Sequence, residues 1–306
     1  MSRVPARRSA LRRSPLPSAP SARERFLRSD RYRVEREWRR YEGTAQRDLF
    51  RELRERFLER NLTSGAWAVD IGSGPGRFTR RLSSRGARVV ALDLSIASLK
   101  FLAELWPAGP EAPPRPDRVR GDAAIPPFAP EALNTVLLFG NTLGFAGSAA
   151  SSVLRSVEDL VRPAGRLLLE IAPGPGESSQ YLTRLPARSV ARLLRSPIRA
   201  VLPRIDREGF RTVPVRKTHP GAFRRQTVPE VLAPSGTRGW KVLETMAVAP
   251  ALGPETERLS TIRTDPKAWA NLLSIEEEIG RRPDRWRMAA SVLLAMERQL
   301  SDNTIN

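Results

Sequence analysis

The stretch AVDIGSGPGRFT, Ala68 to Thr79, decides how the rest of the chain is read. A short apolar run ends in an acid, Asp70, and glycines follow at alternate positions, Gly72, Gly74 and Gly76. The run predicts a β-strand, the glycines a tight turn, and Arg77 onward the start of a helix. Glycine has no Cβ and accepts positive φ, so such a turn lets backbone approach a ligand closely. The spacing is not the G-x-G-x-x-G of dinucleotide binders. The third glycine comes one residue early, and Arg77 follows it, too large for the close helix–strand packing that glycine serves.

Outward from this stretch the pattern alternates strand and helix. Arg77 to Ser84 predicts the first helix of the fold, with Phe78 and Leu82 facing inward. Arg88 to Leu92 is a β-branched run, hence a second strand, and it ends at Asp93, 21 residues beyond Gly72. A carboxylate there suits a ribose, because an ionised acceptor takes two hydroxyl hydrogen bonds and makes strong ones. The plainer alternative is a cap for the helix expected over Ser95 to Leu105. Arg118 to Phe128 holds a short third strand ending at Asp122, followed by Ala123. Asn134 to Phe139 is a fourth strand, with Gly140, Asn141 and Thr142 in the loop after it. Ala149 to Val161 predicts a helix, Pro163 to Gly165 a turn, and Arg166 to Ile171 a fifth strand with Glu170 near its end. Open α/β sheets bind ligands at the carboxyl ends of their strands.

The ordered set of Asp70 with Gly72, Gly74 and Gly76, then Asp93, then Asp122, then the Asn141 loop resembles the motifs of class I S-adenosylmethionine (SAM) dependent methyltransferases, of the ubiquinone/menaquinone-biosynthesis-like type. VRPAGRLLLE, Val161 to Glu170, is similar to the R-P-G-G-x-L-L-L-E turn and strand frequent in that family, with Ala164 in place of the first glycine. Where the family often has an acid at the start of the fourth strand, this chain has Asn134. The likeness covers about Ala68 to Ile171 and more loosely the chain to about Gln299. It implies a doubly wound, mostly parallel seven-stranded sheet with an antiparallel final strand. It implies SAM as cofactor, with Asp70, Gly72, Gly74 and Gly76 around the methionine moiety and Asp93 at the ribose. At the adenine, the Asp122 carboxylate would take the exocyclic amine and the Ala123 amide a ring nitrogen. The resemblance also implies Ser73 and Leu94 in the cofactor-binding set, and Gly140, Asn141 and Thr142 as candidates for the sulfonium and substrate side. The implied reaction is in-line displacement, in which a substrate atom attacks the methyl carbon.

Around this centre, residues 1–21 read as a disordered basic tail rich in Arg, Ser and Pro, with no apolar h-region. Residues 22–62 read as a charged helical lid. Leu49, Leu53 and Phe57 make an apolar stripe in it, and Thr44 is an N-cap. Tyr41 either touches the ligand or, with Trp38, packs the helix onto the domain. The methyltransferase-like domain is expected over residues 63–299, with a strand over Gly239 to Pro250, a helix over Pro266 to Ile279 and a last strand within Met288 to Met296. Residues 174–226 read as a basic insertion on the substrate side. Within it, Arg184 to Arg225 carries twelve basic residues against two acids, Asp206 and Glu208. It serves either an anionic partner or a solvated face.

Composition narrows the chemistry. The chain has 306 residues, 40% of them hydrophobic, and a formal net charge of +19. That balance fits RNA, an acidic substrate or a merely basic surface. There is no cysteine and one histidine. Disulfides, thiolate metal sites and a cysteine-adduct route to pyrimidine methylation are excluded, and a zinc cluster is not expected. No run approaches the length of a membrane span, and a cytoplasmic location is expected. The loop after the fourth strand reads GNTL, not the [DNS]-P-P-[YFW] of enzymes that methylate nucleobase amines. A small-molecule acceptor is the leading expectation; an RNA methyltransferase, an RNA-binding protein or a non-catalytic binding module are the alternatives. His219 is the candidate general base, with Glu170 and Tyr181 behind it.

Overall fold

The structure, a computed structural model, describes residues 31–39, 42–63, 65, 67–172, 177–179, 194–197, 199–203, 212–214, 239–248, 257–289 and 291–299. His219, Tyr41, Tyr181 and most of the 174–226 insertion lie outside these residues.

The apolar run before the glycines is strand β1, Trp67–Ile71, at the middle of a sheet. It pairs in parallel with β2, Arg88–Asp93, and with β4, Leu133–Leu138. Outside β2 lies β3, Asp117–Arg120. Beyond β4 come β5, Val161–Ile171, then β9, Ser291–Arg298, then β8, Trp240–Val248. The order β3-β2-β1-β4-β5-β9-β8 makes a seven-stranded sheet in which β9 alone runs antiparallel to its neighbours. A separate two-stranded ribbon joins β6, Glu177–Ser179, to β7, Thr212–Pro214. The expected doubly wound α/β fold is thus the fold observed.

Strand alternation sorts the side chains to two faces. Ala68, Val89, Leu137, Leu168 and Leu293 point to one face, Val69, Val90, Leu138, Leu169 and Leu294 to the other. The first face is covered by α2 (Ala45–Asn61), α3 (Arg77–Ser83) and α8 (Pro266–Gly280). Leu49, Leu53 and Phe57 of α2 have no exposed surface. Burying each such side chain stabilises the fold by roughly 1.5–3 kcal/mol. The second face is covered by α6, Ala150–Leu160, through Val153, Leu154, Val157 and Leu160. Helix α4, Ile96–Glu104, packs Leu99 and Leu102 against Ala91 at the β2 end. Three shorter helices are α1 (Arg31–Arg39), α5 (Thr142–Ala146) and α7 (Glu257–Arg263). Thr44 caps α2 by accepting the Arg47 amide at 3.2 Å, as its position predicted. Trp38 packs against Phe101 and Arg77.

Some boundaries differ from the sequence reading. The third strand stops at Arg120, two residues before Asp122. Beyond it the Gly121 amide turns to the Asp93 carbonyl, and Asp122 Oδ1 accepts the Ala124 amide, an Asx turn that ends the ladder. The last strand begins at Ser291, because Pro283–Met288 winds into a 3-10 helix. No helix among the described residues is long and apolar enough to cross a membrane.

Candidate functional site

At the carboxyl end of β1 the chain makes the glycine turn, with φ of 73° at Gly72, 52° at Gly74 and 84° at Gly76. Two of these glycines are required by crowding. A Cβ on Gly72 would lie 2.5 Å from Thr142 Oγ1, and one on Gly76 would lie 2.0 Å from Leu102 Cδ1. At Gly74 a Cβ would meet nothing within 4 Å, so here the turn borders open space.

Asp93, at the end of β2, fastens this turn. Its Oδ2 accepts the Gly74 amide at 2.7 Å and its Oδ1 accepts the Ser95 amide at 2.7 Å. Asp93 is 7% exposed. Burial pushes its carboxyl above the usual range, and the Ser95 and Gly74 amides oppose that rise. A carboxylate has about four lone-pair sites, so two amides leave acceptor capacity for hydroxyl donors. The residue therefore holds the helix start, as the plainer reading had it, without exhausting itself.

Asp70 lies under the turn, 2% exposed. Its Oδ2 accepts Thr79 Oγ1 at 2.6 Å, tying β1 to α3. Burial raises its carboxyl to about 7, with the nearby Asp93 charge adding to the rise and Thr79 countering it. Leu94, Asp122 and Ala123 sit half-buried past the ends of β2 and β3.

The fourth strand ends in a second turn. Gly140 and Asn141 both take left-handed conformations, φ 70° and 63°. Thr142 Oγ1 donates to the Phe139 carbonyl at 2.8 Å and lies 3.3 Å from the Ile71 carbonyl, so this turn leans on the glycine turn. The Gly140 amide donates to Glu170 Oε2 at 3.0 Å. Glu170 has no exposed surface, and its Oε1 accepts from Arg54 Nε at 3.0 Å. Burial alone would raise the Glu170 carboxyl; the charge and hydrogen bonds of Arg54, with Ser291 and Gly140, outweigh it and hold the carboxyl below its ordinary value. Glu170 is thus committed as an ion-pair partner, which removes it from the candidate bases.

Two buried polar atoms in these turns have no partner among the described residues: Ser73 Oγ and Asn141 Oδ1. An unmet buried polar group costs about 1–3 kcal/mol, which a polar ligand would offset. The acceptors at the ends of β2 and β3, Asp93 and Asp122, suit the hydroxyls and exocyclic amine of a nucleoside. The residues present therefore fit SAM. Two surface cavities, of about 430 and 340 Å³, lie elsewhere, beside α1 and the start of α2. The unmet polar atoms locate the site better than cavity size does.

Sequence reasoning brought Gly72, Ser73, Gly74, Gly76, Asp93, Leu94, Asp122, Ala123 and Asn141 to one edge of the sheet, where the structure has them. It missed Thr79 and Arg54. Only Thr79 had a local signal, as a hydroxyl on the inner face of α3.

Residues 68–165 match the family profile described as a methyltransferase domain. That stretch, about a third of the chain, is thus similar to a methyltransferase domain. The chain's resemblance to individual proteins is more distant. Over 108 residues it is 32% identical to the biotin biosynthesis bifunctional protein BioHC of Cellvibrio japonicus, which is 35% of this chain and 20% of that relative. The chain therefore aligns with only about a fifth of that relative's length. Among solved structures it is similar to magnesium protoporphyrin IX methyltransferase (ChlM) from Synechocystis PCC 6803 with bound SAH. That match has a TM-score of 0.51 and 16% identity, over 90% of this chain and 98% of the other. It is also similar to the 1,6-didemethyltoxoflavin-N1-methyltransferase of Burkholderia thailandensis, with a TM-score of 0.49 and 17% identity, over 94% and 93% of the two chains.

Proposed function

We propose that the protein transfers the methyl group of SAM to a nucleophilic atom of a small-molecule acceptor by in-line displacement. The observation that carries this reading is the pair of unmet polar atoms, Ser73 Oγ and Asn141 Oδ1, in the turns after β1 and β4. In this reading Ser73, Gly72, Gly74, Gly76 and Asn141 hold the methionine end, with Asp70 acting beneath them through Thr79. Asp93 and Leu94 hold the ribose, and Asp122 and Ala123 the adenine. Bound SAM supplies a methyl group already activated on a positively charged sulfur. The protein's task is then to exclude water and hold the acceptor atom in line, and orientation of this kind supplies much of the acceleration. His219 is the candidate for taking a proton from the acceptor.

A small acceptor is supported by the GNTL sequence after β4 and by the absence of cysteine. The Cellvibrio relative is named for biotin biosynthesis, which also concerns a small molecule. An RNA acceptor rests on the charge of residues 184–225 alone, and Arg195 of that segment pairs with Asp265 at 2.7 Å. The test is a transfer assay with methyl-labelled SAM against cell extract split into small-molecule, lipid, protein and RNA fractions. Label is expected in the small-molecule fraction. Label confined to RNA, with RNA affinity falling steeply as salt rises, would replace this reading.

A further inference from the structure

A buried ion pair links the second described helix to the turn that carries Asn141. Arg54 of α2 has a side chain 5% exposed, and Glu170 of β5 is fully buried, 116 residues away in sequence. The guanidinium is anchored on its own helix, Nη1 donating to the Phe50 carbonyl at 2.9 Å. Its Nη2 donates to Ser291 Oγ at 3.1 Å, at the start of β9, as well as to Glu170 Oε1. The other oxygen of Glu170 accepts the Gly140 amide at 3.0 Å. One carboxylate oxygen is thus held by the guanidinium, and the other holds the amide just before Asn141.

That amide needs holding. Two consecutive residues in the left-handed region, one of them not glycine, persist only where the surroundings over-determine them. Thr142 grips the turn from downstream through the Phe139 carbonyl. Glu170 grips it from upstream, and Asn141 lies between the two. An apolar pair of the same volume would fill the space between α2 and β5 as well as the ion pair does. It would leave the Gly140 amide without an acceptor. Charge-assisted bonds are shorter and more directional than neutral ones, which suits a contact that sets position.

We infer that Arg54 and Glu170 are positioning residues for the cofactor site: together they fix the Gly140–Asn141 turn so that the Asn141 side chain meets the bound cofactor. The inference rests on the cofactor-site reading above. It extends the site to α2, which lies outside the stretch 68–165 matched by the family profile.

The test is calorimetric titration of S-adenosylhomocysteine into the full chain, with amide resonances read by NMR. The variant Arg54→Met/Glu170→Leu removes both charges together, so neither is left buried and unpaired. It is expected to fold, to bind S-adenosylhomocysteine about tenfold more weakly or worse, and to shift the Gly140 and Asn141 amides while sparing that of Thr79. Glu170→Gln keeps the volume and an acceptor for Gly140, and its affinity is expected to fall between wild type and the double variant. A folded double variant with wild-type affinity and unmoved Gly140 and Asn141 amides overturns the inference. If the double variant does not fold, Glu170→Gln decides: wild-type affinity with unmoved Gly140 and Asn141 amides overturns it there too. Wild-type protein that binds no S-adenosylhomocysteine overturns the cofactor-site reading itself, a different failure from unchanged binding in the variants.

Discussion

The Gly74 amide donates a 2.7 Å hydrogen bond to Asp93 Oδ2, joining the turn after β1 to the end of β2. One carboxylate thereby shapes the glycine turn and the start of α4 together, since its Oδ1 takes the Ser95 amide. The residue proposed for the ribose is also the one that sets the backbone facing it.

Asp93→Ala should therefore cost both stability and binding. It strands the buried Ser95 amide, at about 1–3 kcal/mol, and removes the acceptor of the half-buried Gly74 amide. Asp93→Asn keeps one acceptor oxygen and is expected to retain more stability. Denaturant unfolding and calorimetry with S-adenosylhomocysteine check the pair. Binding lost in Asp93→Ala but kept in Asp93→Asn assigns Asp93 chiefly to the turn; loss in both assigns it to the ligand as well.

Asp70 gives a pH signature. Its folded carboxyl lies at about 7, raised by burial from an unfolded value near 3.8. The folded state then binds more protons than the unfolded state between those values, so stability falls as pH rises through that window. The contribution is complete below about pH 4 and lost once pH passes 7. Asp70→Asn keeps an oxygen for Thr79 and removes the titration. The Tm of this variant is expected to vary less between pH 4 and 7 than that of wild type. Equal slopes would mean that Asp70 does not titrate in this range. Asp93 is shifted in the same direction, so the difference between the two proteins, not the wild-type slope, isolates Asp70.

The glycines separate by what surrounds them. Gly76→Ala drives a Cβ into Leu102 at a left-handed φ, and Gly74→Ala meets open space at a left-handed φ. The left-handed conformation alone costs about 1–2 kcal/mol. Overpacking adds about 1–3 kcal/mol at Gly76. Urea unfolding should thus rank Gly76→Ala clearly below Gly74→Ala. Binding should rank the two the other way, because the space beside Gly74 is what the ligand would fill. A Gly74→Ala protein with undiminished affinity for S-adenosylhomocysteine would place the ligand elsewhere.

What could be read in the sequence was local. The strand before Gly72, the helix after Gly76, the cap at Thr44 and the acid at the end of β2 each announce themselves within a few residues. So does the strand-and-helix alternation that fixes the sheet. The links between the turns do not. Thr142 leaning on the glycine turn and Arg54 reaching Glu170 join positions 71 and 116 residues apart, and no spacing rule marks them. Glu170 looked like a free acid at the sheet edge because its partner lies on a helix read as a charged lid. The end of β3 was misplaced because a side-chain turn at Asp122 competes with the strand ladder.

Asn141 carries the sharpest trade-off between stability and function. It holds φ 63°, a conformation that glycine adopts freely and asparagine at some cost. Its Oδ1 is buried without a partner among the described residues. Asn141→Gly relieves both burdens, so the protein is expected to keep its Tm or gain a few degrees. If Oδ1 serves the cofactor, the same change weakens S-adenosylhomocysteine binding by about tenfold, the loss of one good polar contact. Asn141→Ala removes the oxygen but keeps the left-handed strain, and is expected to lose stability and affinity together. A glycine variant that gains stability at the expense of binding would mark Asn141 as strain kept for the ligand. One that gains stability and binds as wild type would leave the orphaned oxygen without a role in the cofactor site.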